Sequence, residues 1–133
     1  MKKNVLKSLV AVSVFMAFLS ACAGLQKQVI VDHAEKERTV VIKADNFKFE
    51  PNNILTYRGD RIKFKVENVS NTEHNFTIDD PDGNVLQSVD VLPGKTIYIT
   101  VTFSRTGIYH FRCDEFLHSF LGMKGRVEVA ERE

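Results

Sequence analysis

The chain has 133 residues and a mass of 15.1 kDa, which gives room for one ordinary domain but not for two full cores. Its 18 Lys and Arg stand against 17 Asp and Glu, and a net charge of +1 lacks the basic excess of a nucleic-acid binder. A hydrophobic share of 44% excludes wholesale disorder, and two cysteines exclude a disulfide-rich scaffold or a four-cysteine zinc site.

Residues 1–21 have the layout of an export signal. Lys2, Lys3 and Lys7 open it, an apolar run from Leu9 to Leu19 is broken only by Ser13, and Ser20, Ala21, Cys22 and Ala23 follow. The run is shorter than the roughly 20 residues that cross a bilayer. Leu19-Ser20-Ala21-Cys22 resembles a bacterial lipoprotein box. That resemblance implies a lipid on Cys22, with Cys22 as the new N-terminus. Ala21-Cys22-Ala23 also fits an ordinary cut after Ala23. Loss of the three signal lysines moves the net charge from +1 to −2. With Cys22 acylated, Cys113 has no disulfide partner and needs another role.

Residues 22–38 read as a tether that holds the domain off a membrane. Val29-Ile30-Val31 can form a short strand, but Asp32 to Arg38 is polar and charged. From Thr39 the period changes to two, and residues 39–133 form the domain. Strands are predicted over 39–44, 46–49, 53–57, 74–79, 84–91, 107–113 and 125–130. Two more show clean alternation. Ile62, Phe64 and Val66 alternate with Arg61, Lys63, Lys65 and Glu67, and Ile97, Ile99, Val101 and Phe103 alternate with Thr96, Tyr98, Thr100 and Thr102. Turn signals separate the strands, among them Asn68 to Thr72, Asp79 to Gly83 and Pro93-Gly94. No helical period competes. Seven to nine short strands at this spacing predict an all-β sandwich.

The chemistry gathers at the C-terminal end, in the spacing Cys113-x4-His118-x4-Met123. Tyr109, Phe111 and Cys113 share one strand face and should point inward. A short loop can return His118 and Met123 to the sulfur, and His74 from another strand can complete the set. Two imidazoles, one thiolate and one thioether are the donor set of an electron-transfer copper site. The thiolate must lose its proton, which a metal enforces.

These residues resemble the cupredoxins, the type 1 blue copper proteins. The resemblance covers roughly residues 39–130. It rests on His74-Asn75, on Tyr109-x-Phe111-x-Cys113, on His118, and on Gly122-Met123-x-Gly125. It implies a Greek-key sandwich and one copper ion. His74, Cys113 and His118 would be equatorial ligands and Met123 the axial one. Asn75 matches the position whose backbone N–H donates to the cysteine sulfur. Plastocyanin-like members leave two residues between Cys and His, whereas this chain leaves four and is closer to azurin or rusticyanin. Cys113-Asp114-Glu115 also resembles the start of the binuclear motif of oxidase subunit II, but Leu117 stands where the second cysteine would fall. A mononuclear site is expected, with the Glu115 carboxylate near it.

His33 belongs to the tether, and His110 should face away from Cys113, so neither is expected to be a ligand. Phe116, Leu117, Phe120 and Leu121 flank His118, and a short loop cannot bury all four. They are expected to form an apolar patch where redox proteins dock transiently. The reading is a monomeric single-electron carrier, not an enzyme, tethered in the periplasm or at the cell surface. The alternatives are a copper chaperone or copper-binding lipoprotein with the same ligands, and a metal-free accessory sandwich.

Overall fold

A computed structural model describes residues 28–30, 37–115 and 121–133. The signal segment with Cys22, the His33 segment, and Phe116, Leu117, His118 and Phe120 lie outside the described residues. The described residues contain ten strands and no helix. They are β1 (Val29–Ile30), β2 (Arg38–Asp45), β3 (Lys48–Glu50), β4 (Asn53–Tyr57) and β5 (Arg61–Asn68), then β6 (His74–Asp79), β7 (Val85–Val91), β8 (Thr96–Thr102), β9 (Gly107–Arg112) and β10 (Lys124–Ala130).

The all-β sandwich expected from the sequence is what forms. A six-stranded sheet runs in the order β1-β4-β10-β9-β6-β7, and a four-stranded sheet in the order β3-β2-β5-β8. Sequential strands cross repeatedly between the two sheets, as a Greek key requires. In β5 the pattern works as read: Ile62, Phe64 and Val66 are fully buried, while Arg61, Lys63, Lys65 and Glu67 line the other face. β5 pairs in parallel with β2 and antiparallel with β8, so its apolar row meets theirs across one inner face.

The starts of β3 and β2 differ from the sequence expectation. The strand predicted at 46–49 begins two residues later, at Lys48. Asp45 pairs with Lys48, so Asn46 and Phe47 form a two-residue hairpin. Phe47 adopts a left-handed φ of 59° and is exposed. The turn carries no Gly or Pro, and Phe47 reads as a strand residue. The short strand anticipated at residues 29–31 is present as β1, within the predicted tether, and adds in parallel to the edge strand β4. Both of its residues are exposed, so backbone pairing rather than core burial holds it. The domain strand β2 starts at Arg38, one residue before the predicted boundary.

The core between the sheets is aromatic. Phe76 stacks on Phe111 at 5.3 Å between centroids and meets Phe49 edge-on at 5.5 Å. Phe103 meets Tyr109 edge-on at 4.9 Å. Such pairs contribute beyond their area burial and fix ring orientation. Cys113 and Met123 belong to this same buried cluster. Phe76→Ala is expected to cost about 3–5 kcal/mol, because it leaves a cavity between three rings. Urea denaturation would show it as a lower midpoint.

Candidate metal centre

His74 opens β6 and is fully buried. Its position is set by the loop before it. Asn68 Nδ2 donates to the carbonyls of Thr72 and Val91, both at 2.7 Å, and Asn68 Oδ1 accepts from Ser70 N at 3.0 Å. Ser70 Oγ in turn lies 2.8 Å from His74 Nε2. A hydroxyl on Nε2 assigns any ligand role to Nδ1 and fixes the ring's rotation.

Cys113 follows β9 directly and is fully buried. The inward alternation of Tyr109, Phe111 and Cys113 is present, and His110 is exposed as expected. Asn75 N donates to Cys113 Sγ at 3.3 Å. Burial pushes the Cys113 thiol above its ordinary range. Backbone N–H groups of Asn75 and Glu115 pull it back, and the carboxylates of Glu115 and Asp114 raise it further. Arg112 holds this strand end from the outer face. It pairs with Asp79 and donates from Nε to Asp114 Oδ1 at 2.6 Å.

Met123 precedes β10 and is fully buried. Cys113 N donates to Met123 O at 3.1 Å, so the segment between the two residues starts and ends at one point. Each glycine of Gly122-Met123-x-Gly125 has its own reason. Gly122 has φ 100°, a conformation that side chains rarely adopt. Gly125 lies against Phe111: a Cβ there would come within 2.2 Å of the Phe111 ring edge and 2.7 Å of Asn52 O.

The structure thus brings together His74, Asn75, Cys113 and Met123. His118 lies outside the described residues. Leu121 of the expected apolar patch is 53% exposed. Glu115 is half-buried and groups with Glu73 and Asp90, their carboxylate oxygens within 4.8 Å of one another. Sequence reasoning did not single out Ser70 or Asn68. The Asn, Ser and Thr content of residues 68–72 marked only a turn, although turn hydroxyls and amides are what could reach a neighbouring imidazole.

A family model described as Cupredoxin-like domain matches residues 9–129. Cytochrome c oxidase subunit 2 of Thermus thermophilus is 30% identical over 89 residues, which make up 67% of this chain and 62% of that protein. The chain therefore spans less than two thirds of that relative's length. The copper-resistant cuproprotein CopI of Rubrivivax gelatinosus is 29% identical over 115 residues, with 74% of this chain and 70% of CopI covered. Among solved structures, Na-dithionite-reduced auracyanin from Roseiflexus castenholzii aligns with a TM-score of 0.62 at 22% identity, over 74% of this chain and 99% of its own. Auracyanin B aligns with a TM-score of 0.63 at 18% identity, over 76% of this chain and 94% of its own. At these identities the structural likeness speaks for the fold.

Gly125→Ala is expected to destabilise the protein by about 1–3 kcal/mol, since neither the Phe111 ring nor the Asn52 carbonyl can move aside cheaply. A drop in the urea midpoint with an unchanged slope would report it.

Proposed function

This chain belongs to the cupredoxin-like domain family, and on that premise we propose that it is a single-electron carrier with one mononuclear type 1 copper site. The observation that carries the reading is the amide of Asn75 on Cys113 Sγ at 3.3 Å, beside the buried His74 and Met123. A thiol used only as core filler needs no such donor. A thiolate ligand does, because hydrogen bonds to the sulfur draw electron density from it and raise a reduction potential. The donor types fit the group: His74, Cys113, His118 and Met123 would hold copper. Bound copper would supply the Cu(I)/Cu(II) couple. Of the four donors, His74, Cys113 and Met123 stand at strand ends beside an aromatic core, which would change little between the two charge states. The Cys113-Asp114-Glu115 segment offers one thiolate, with Leu117 where a binuclear motif would place a second, so the site is mononuclear.

The carrier is not an enzyme in this reading. Redox proteins would dock on the apolar patch around His118, formed by Phe116, Leu117, Phe120 and the exposed Leu121. A lipid on Cys22 would hold the protein to a membrane, in the periplasm or at the cell surface. A second reading has one observation in its favour, the match to a cuproprotein named for copper resistance. In that case the same ligands would bind copper without passing electrons on.

Optical and electron paramagnetic resonance spectra of the copper-loaded protein separate the two. A strong thiolate-to-copper band with reversible reduction supports the carrier, and a colourless Cu(I)-only protein overturns it. Cys113→Ala is expected to abolish that band. Met123→Leu is expected to keep copper and raise the potential, since a weak donor to Cu(II) is lost. Metal loading should also release a proton. The raised Cys113 thiol is protonated at neutral pH, so affinity should weaken as pH falls, by about tenfold per pH unit. Proton release on titration with copper in weak buffer measures it.

A further inference from the structure

Any residue except proline could supply the backbone N–H that reaches Cys113 Sγ. That position 75 is asparagine therefore needs its own explanation, and the side chain provides one. Asn75 and Thr77 lie on one face of β6, and Ser88 and Asp90 stand opposite them on β7 in the pairs Asn75↔Asp90 and Thr77↔Ser88. Asn75 Nδ2 donates to Asp90 Oδ1 at 2.8 Å and to Ser88 Oγ at 3.3 Å. Asn75 Oδ1 accepts from Thr77 Oγ1 at 2.6 Å, and Thr77 Oγ1 and Ser88 Oγ share a bond of 2.7 Å. Both amide hydrogens and the amide oxygen of Asn75 are engaged, and Thr77 is fully buried. Rotation of residue 75 away from the sulfur would break this set along with the strand pairing.

We infer that Asp90 is a positioning residue for the sulfur: with Ser88 and Thr77 it clamps the Asn75 side chain, keeps the Asn75 N–H on Cys113 Sγ, and so sets the electron density of that ligand. The consequence for the potential rests on the copper reading; the clamp itself does not. Asp90 acts in two opposing ways. Its negative charge favours Cu(II) and lowers the potential, while the hydrogen bond it holds in place raises it. Glu73 belongs to the same carboxylate group as Asp90. It has no part in the Asn75 bonds above, so Glu73→Gln removes a comparable charge alone.

The test compares Asp90→Asn, Asp90→Ala and Glu73→Gln on the intact chain. Asp90→Asn keeps an acceptor for Asn75 Nδ2 and loses the charge, so it and Glu73→Gln should both raise the potential of the copper-loaded protein. Asp90→Ala loses charge and clamp together, so its potential should fall below that of Asp90→Asn. In the metal-free protein, Asp90→Ala should speed hydrogen exchange at the Asn75 amide by about fivefold, the loss of one ordinary hydrogen bond. The Ile99 amide should not change, which excludes global destabilisation, and Asp90→Asn should restore Asn75 to wild-type exchange. Equal potentials for Asp90→Ala and Asp90→Asn, or unchanged Asn75 exchange in Asp90→Ala, would overturn the inference. If even the wild-type protein shows no thiolate-to-copper band, the copper reading fails, and the exchange experiment still decides the clamp.

Discussion

The pairing of β6 with β9 covers Thr77 with Arg112 and Ile78 with Phe111. Two residues nearer the start of β6, the Asn75 amide is given to the sulfur of Cys113. A buried amide needs a partner, and burying it without one costs on the order of 1–3 kcal/mol. Cys113 meets that need where the strands part, and the amide in turn prepares the sulfur to carry charge. The residue that follows β9 and ends its inward row is thus a core residue that also completes a buried amide's hydrogen bond. That double role governs the rest of the site.

Two kinds of support converge on the sulfur. From below, Phe76, Phe111 and Phe49 pack ring on ring and give the strand ends a rigid base. From the sides, polar side chains take up what the core cannot satisfy. Asn68 and Ser70 hold the imidazole of His74, and Thr77, Ser88 and Asp90 hold Asn75. An apolar core alone would leave the imidazole and amide unsatisfied, and a polar loop alone would leave the ligands free to move. Together they fix the positions of His74, Asn75 and Cys113.

The sandwich was legible because β-strands announce themselves by alternation. Ile62, Phe64 and Val66 against Lys63 and Lys65 could hardly be placed otherwise. The late start of β3 comes from a turn that breaks the alternation. Phe47 is a large apolar residue used in a tight turn, where its left-handed backbone leaves no composition signal. β1 is only two residues long, so pairing with β4 rather than any pattern of its own makes it a strand.

The candidate ligands stand out as a set because Cys113, His118 and Met123 recur at short, regular spacing and few chemistries ask for those residue types together. Gly122 and Gly125 could be recognised as a motif, but their reasons differ and are spatial: one turns the backbone, and the other makes room for the Phe111 ring. The supporting residues were out of reach for the same reason. Asn75 lies 15 residues from Asp90 and 38 from Cys113, and strand register alone brings them together. Periodicity and ligand spacing belong to short stretches of chain, so most strands and the candidate ligands can be read from the residues alone. Which polar groups hold those side chains depends on how separate strands align, and strand register within the sheet is set by the packed fold, not by any one stretch of residues.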